Sequence, residues 1–223
     1  MIEVLPNYVQ FTFLFATVLT AWFLFKATQS ALIISIVFVW MILQFILTWN
    51  GFYADTGIIP PHSMLLVAPW ILLIILLFTL KKGRKLIDGF DEKWLTYLHV
   101  VRIPVEITLI YLSMYKLVPV SMTFEGRNFD IYSGITAPFI AYYGYQNRKL
   151  IKEVMIAWNI LCLILVLNVA ITGILSIPTP FQKLSFDQPN IGVLYFPFIY
   201  LPCFIVPVVI LSHLICLRKL LKT

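Results

Sequence analysis

Apolar runs long enough to cross a bilayer, each bounded by charge, Pro, Gly or Asn, recur along the whole of this 223-residue chain. A hydrocarbon core about 30 Å thick is crossed by about 20 apolar residues in helical form. The runs therefore read as spanning helices near 9 to 26, 30 to 50, 63 to 80, 94 to 118, 130 to 146, 153 to 174 and 192 to 216. The fifth is the weakest, being short and holding Gly134, Pro138, Gly144 and Tyr132, Tyr142, Tyr143 and Tyr145. Hydrophobic residues make up 61% of the chain and charged ones only 12%, too few to keep a soluble surface wet. The expected fold class is all-α: a polytopic membrane protein of seven transmembrane helices, one domain over 1–223. The opening segment MIEVLPNY carries Glu3 and no Lys or Arg, so it reads as part of a retained first helix rather than a signal peptide.

Charge placement turns this into an orientation, because short cytoplasmic loops collect Lys and Arg. Seven crossings put Lys26, then Lys81, Lys82, Arg84, Lys85 and Lys93, then Arg148, Lys149 and Lys152, then Arg218, Lys219 and Lys222 on one side. Those are twelve of the 16 basic residues; six crossings would scatter them over both faces. The N-terminus is expected outside and the C-terminus in the cytoplasm, in a bacterial cytoplasmic membrane. The net charge of +6 then favours anionic membrane lipid as a partner. It leaves no folded basic face for nucleic acid. Cys162, Cys203 and Cys216 all sit inside apolar runs and form no disulfide framework.

The second and sixth runs resemble each other. WMILQFILTWN over 40–50 matches WNILCLILVLN over 158–168 at six positions, including the Trp and the Asn, and Thr56-Gly57 lies beside Thr172-Gly173 after a short shift. This points to parallel repeats over 9–80 and 130–216 with a linker helix over 94–118. Such repeats recur in transporters, with the site near the midplane between the copies. The 3+1+3 plan resembles the SWEET sugar transporters and, more loosely, the microbial rhodopsins. It lacks the Pro-Gln loop motif of the former and the mid-membrane lysine that holds retinal in the latter. The segments HVVRIPVE (99–106) and TFEGRNFD (123–130) also resemble those of a bacterial seven-helix membrane protein family without an assigned function. That resemblance implies the fold and imports no activity.

Charged groups in hydrocarbon are expensive, so each asks for a partner or a cavity. At about 100° per residue, His99, Arg102, Glu106, Ser113 and Lys116 fall on one face of the fourth helix, about 100° wide. That face is expected to look inward. Arg102 and Glu106, spaced i, i+4, are expected to pair, and Pro104 frees a carbonyl one turn earlier. The outer loop supplies Glu125, Arg127, Asn128 and Asp130 as a gate or rim, with Asp130 placed to cap the fifth helix and a local Glu/Arg pair beside it. Asn50 and Asn168 offer amides to a polar ligand or to neighbouring helices. Trp40 and Trp158 offer a stacking surface or ordinary packing.

His99 and His213, the latter followed by Cys216, lie on separate helices without metal or haem spacing, so no metal and no cofactor is expected. The chain has no His-Glu-x-x-His, Gly-x-Ser-x-Gly or glycine-rich phosphate loop, so no catalytic residue is expected either. The favoured function is a small secondary transporter or carrier of a polar or anionic metabolite. Arg102 would hold the anionic group, Glu106 a coupling proton, and Asn50 and Asn168 the solute. The alternatives are a non-catalytic scaffold or sensor binding a partner membrane protein, and a lipid-modifying enzyme with His99, Arg102 and Glu106 facing a lipid-open cleft. Membrane lipid, a small polar solute and a second copy of the chain are the candidate partners.

Overall fold

A computed structural model describes residues 5–222. α1 (Asn7–Thr28) and α2 (Ala31–Trp49) are joined by a tight turn. Gln29 takes a left-handed conformation (φ 49°) and Ser30 caps α2, its Oγ accepting from the Ile33 N–H. α3 (Met64–Thr79) is followed by α4 (Lys81–Asp88). Next come α5 (Glu92–Tyr97), a 3₁₀ turn (Leu98–Val101) and α6 (Arg102–Met114), which together form one stretch. α7 (Ile131–Ile140) runs on into a π-helical turn (Ala141–Gln146), α8 spans Lys152–Leu175, and a second π turn (Leu201–Ile205) leads into α9 (Val206–Lys222). Among the described residues there is no strand.

Asn7–Thr28, Ala31–Trp49, Glu92–Met114, Lys152–Leu175 and Leu201–Lys222 are long and apolar enough to cross a membrane. α3 and α4 make a sixth candidate, bent by 92° where they meet. α7 with its π turn is shorter, as its sequence suggests.

Three boundaries differ from the sequence reading for local reasons. The fourth run stops at Met114 instead of 118: Lys116 turns left-handed (φ 57°), and the Leu117 carbonyl accepts from the Ile191 and Gly192 N–H groups. The last helical stretch starts at Leu201 instead of 192, because Pro197 lacks an N–H and Gly192–Leu194 forms only a 3₁₀ turn. It then runs through the basic cluster to Lys222. The basic stretch after α3, read as a loop, is the helix α4, with Ile87 as its buried anchor. Leu80 leaves the helical region (ψ 139°), and Gly83 lets α4 fold back on α3. A Cβ at Gly83 would lie 2.7 Å from the Leu77 Cα and carbonyl oxygen.

α8 packs along α9, α1 against α5 and α6, and α7 against α6 and its preceding 3₁₀ turn. α2 and α3 lie outside: α2 buries Val37, Gln44 and Thr48, α3 Leu66 and Trp70, and their other Leu, Ile and Val side chains point mostly outward. Such a surface suits hydrocarbon. The polar residues are inside instead, and His99, Arg102, Glu106, Asp130, Asn159 and His213 are all buried. One backbone consequence follows from Pro207, which cannot donate to the Cys203 carbonyl four residues back. Water is absent from a bilayer core, so that carbonyl needs other donors. The indole N–H groups of Trp40, at 2.8 Å, and Trp70 supply them.

The C-terminal end of α1, α4, the start of α5 and the end of α9 meet at one end of the bundle. The Asp91 N–H donates to the Ala27 carbonyl, and the Lys26 ammonium lies 5.7 Å and 5.8 Å from the Trp22 and Trp94 rings. Arg218 pairs with Asp88 at 2.9 Å, Lys219 with Glu92 at 2.8 Å, and Lys222 with Asp88.

Candidate functional site

Pro104 stands third in α6, within the first turn, where a missing N–H costs little. The chain just before it is overwound into the 3₁₀ turn Leu98–Val101. In that geometry residues i and i+3 lie over one another, so His99 and Arg102 turn inward together. Gly134 brings α7 close to this turn. A Cβ there would meet Ile103 Cγ1 at 3.0 Å, the His99 carbonyl oxygen at 3.2 Å and Arg102 Cβ at 3.3 Å.

Arg102 is the hub. Its Nη1 donates to Asp130 Oδ1 at 2.6 Å and, at a longer 3.4 Å, to the Cys162 carbonyl. Its Nη2 lies 2.7 Å from His213 Nε2. A guanidinium has only donors, so Nε2 accepts and His213 is a neutral imidazole with its proton on Nδ1. That proton goes to Asn159 Oδ1 at 2.9 Å, and Asn159 Nδ2 in turn donates to the Met155 carbonyl at 2.9 Å. The chain from Arg102 through His213 to Asn159 thus has one direction and links α6, α9 and α8.

His99 lies against this chain without joining it. Its ring stacks on His213 with centroids 3.9 Å apart and planes 12° from parallel, and neither of its ring nitrogens has a hydrogen-bond partner. Trp158 lies alongside the stacked pair, its ring 5.6 Å from each imidazole and its indole N–H donating to Thr136 Oγ1 at 2.9 Å.

Glu106, one turn further along α6, serves the loop over 122–130. Its Oε1 accepts from the Phe124 N–H and its Oε2 from Asn128 Nδ2 at 2.6 Å. The same amide nitrogen donates to the Met122 carbonyl at 2.9 Å, and Asn128 Oδ1 accepts from the Asp130 N–H at 3.0 Å. Glu106 and Arg102 therefore hold the two ends of one loop. Breaking a buried pair of the Arg102–Asp130 kind, by removing one partner, costs about 3 to 5 kcal/mol.

Residues 59–221 match the protein family described as a domain of unknown function, DUF8737. The chain belongs to that family. The DUF8737 match runs from just before α3 almost to the end of α9 and takes in the whole Arg102 cluster and the Glu106 clamp, leaving α1 and α2 outside. No curated protein and no solved structure matches the chain.

Of the residues singled out from the sequence, Arg102, Glu106, His99, Trp158, Asn128 and Asp130 converge. The others do not. Asn50 is exposed at the end of α2, its amide donating to the Ile46 carbonyl of its own helix at 2.7 Å. Asn168 is exposed and donates to the Arg127 carbonyl at 3.1 Å. Trp40 serves Cys203, so the repeat-related Trp and Asn pairs make unlike contacts. Glu125 and Arg127 are exposed, and no ion pair joins them among the described residues.

Two expected contacts are replaced by others. Arg102 pairs with Asp130 rather than Glu106, because α7 brings a carboxylate to its guanidinium while Glu106 is taken by loop donors. For the same reason the Asp130 carboxylate makes no capping bond to α7. The sequence offers no reading for Asn159, and it considers His213 as a metal or haem ligand beside Cys216, whose Sγ instead lies 3.9 Å from Thr96 Oγ1. A usable signal was present: a lone His and a lone Asn in apolar helices each need a polar partner.

Proposed function

We propose that this protein is a small secondary carrier of a polar or anionic solute, crossing a bacterial cytoplasmic membrane seven times with its C-terminus inside. The observation that carries the reading is the buried Arg102 cluster, because ionisable groups enclosed among apolar helices are retained where a solute or proton path needs them. The alternation of basic loops supports the orientation. The match of 40–50 to 158–168 supports repeats over 9–80 and 130–216 about the helix between them.

In the resting state Asp130 occupies Arg102. An anionic solute group takes that place on the guanidinium, and the displaced carboxylate, left without its cation in an apolar interior, takes up a proton. Solute and proton then move together. The Glu106 clamp on Phe124 and Asn128 is the outer latch, released when the loop over 123–130 lifts.

Uptake of a panel of organic and inorganic anions into proteoliposomes, with and without an imposed pH gradient, tests this. Accumulation of at least one solute, raised by an inward proton gradient, is expected. Absence of uptake for every anion and neutral polar solute in the panel contradicts it. A scaffold or sensor reading is favoured by a different observation: the donors and acceptors around Arg102 largely satisfy one another. Copurification of a stoichiometric membrane partner is its test.

A further inference from the structure

α4 holds four of the basic residues in eight positions: Lys81, Lys82, Arg84 and Lys85. The 92° bend at Leu80 turns it across the direction of α3, the attitude of a helix lying along a membrane surface. At about 100° per residue, Lys85, Lys82 and Leu86 share one side of α4, Gly83 and Ile87 face another, and Asp88 lies back beyond Lys81. Gly83 and Ile87 are the packed side, Ile87 being fully buried. Asp88 is engaged by Arg218 and Lys222 of α9.

The side bearing Lys82, Lys85 and Leu86 faces a shallow, open cleft of about 440 Å³, lined also by Thr28, Ser30 and Ile33 from the end of α1 and the start of α2, and by Phe90. The Asp91 N–H bond to the Ala27 carbonyl ties its two walls together. No carboxylate lines this cleft, and none pairs with Lys82 or Lys85 among the described residues. Of the basic groups nearby, Lys26 lies over Trp22 and Trp94, Arg84 Nη1 is 3.5 Å from the Phe78 carbonyl oxygen, and Lys219 pairs with Glu92. The cleft thus combines two cations lacking acidic partners, the Ser30 hydroxyl, and an apolar wall of Ile33, Leu86 and Phe90, while Thr28 Oγ1 donates to the Leu24 carbonyl of its own helix at 2.9 Å.

We infer that this cleft between α4 and the α1–α2 turn binds the headgroup of an anionic phospholipid, with the phosphate held by Lys82 and Lys85 and the glycerol end of the acyl chains against Ile33, Leu86 and Phe90. A headgroup carrying its own ammonium is disfavoured, since that group would face the two lysines with no carboxylate to receive it. The site does not depend on the carrier reading. It requires only that α4 lie at the membrane surface.

The protein in a non-ionic detergent is titrated with phosphatidylglycerol, phosphatidylcholine and inorganic phosphate, with bound lipid counted by native mass spectrometry and thermal unfolding followed in parallel. Phosphatidylglycerol is expected to bind and raise the unfolding temperature, and the other two to do neither. Each lysine near a charged surface contributes about a fivefold factor, so Lys82→Gln with Lys85→Gln should weaken binding about 25-fold. The paired arginine variant should keep binding, as should Lys149→Gln with Lys152→Gln. Unchanged binding in the glutamine pair, an equal loss in the Lys149/Lys152 pair, or equal binding of phosphatidylcholine overturns the assignment. Displacement of the lipid by inorganic phosphate also overturns it, in favour of a free-phosphate site. A photoreactive phosphatidylglycerol on the unmodified protein gives an independent reading. Label over 28–33 and 82–90 is expected, and label spread evenly over the exposed helices contradicts it.

Discussion

His99 and His213 stack face to face at 3.9 Å, yet only His213 is hydrogen bonded, between Arg102 and Asn159. The two imidazoles are therefore unequal in what their loss should do. His99→Phe keeps a flat ring on His213 and removes two unpartnered nitrogens, so the unfolding temperature in detergent should stay level or rise. His213→Phe strips the acceptor from Arg102 and the donor from Asn159 and should cost about 3 kcal/mol. The reverse order in a thermal melt contradicts the assigned network.

Arg102 and Asp130 should behave as a unit. Asp130→Leu alone leaves a buried guanidinium without its carboxylate and should destabilise by about 3 to 5 kcal/mol, whereas Arg102→Met with Asp130→Leu should recover part of that, the remainder reflecting the donor lost by His213 Nε2. Contacting residues show non-additive effects, so a double-mutant cycle measured by detergent-induced unfolding should give a large coupling. Additive losses would mean the two side chains act separately.

The loop clamp predicts a local effect. Asn128→Ala removes the bonds to Glu106 and the Met122 carbonyl and should speed amide exchange over 122–130 while leaving α8 and α9 unchanged. Asn168→Ala, which loses one bond to an exposed loop carbonyl, should do much less. Hydrogen exchange read by mass spectrometry separates the two.

Asp88 gives a pH dependence with a definite sign. Hydrogen bonds from Arg218, then Lys222, hold its carboxyl down at about 2, against an ordinary aspartate value of about 3.9. A depressed carboxylate contributes stability that is fully present above the unfolded value and is lost as pH falls through the folded one. The docking of the end of α9 on α4 should thus hold at neutral pH and loosen from about pH 4 toward 2. Protease access to residues 218–222 should follow that course in the native chain and change much less over the same range in Asp88→Asn, where the Lys219–Glu92 pair remains.

Much of the fold is legible in the sequence because spanning helices announce themselves by length and apolarity, and α1, α2 and α8 fall within about two residues of their apolar runs. α4 is hidden because five of its eight residues are charged, and its fold-back on α3 relies on Gly83 fitting against Leu77. The site was half legible. Helical spacing brings His99, Arg102 and Glu106 to one face, but it says nothing of which carboxylate arrives from elsewhere. Asp130 lies 28 residues from Arg102 and His213 lies 111 away, so their convergence is set by packing of α7 and α9. The i, i+4 rule favoured Glu106 because it weighs pairs on one helix, whereas here loop donors from Phe124 and Asn128 claim that carboxylate.

The central claim is that Arg102 holds the transported anion in exchange for Asp130. Its most direct test is solute uptake by proteoliposomes bearing the native chain, Arg102→Leu, Glu106→Gln or Asp130→Asn, each first shown to be monodisperse. The account predicts that Arg102→Leu abolishes uptake, that Glu106→Gln slows it by releasing the loop, and that Asp130→Asn retains uptake but no longer responds to a pH gradient. Uptake unchanged in Arg102→Leu and Glu106→Gln for every solute that the native chain transports would contradict it.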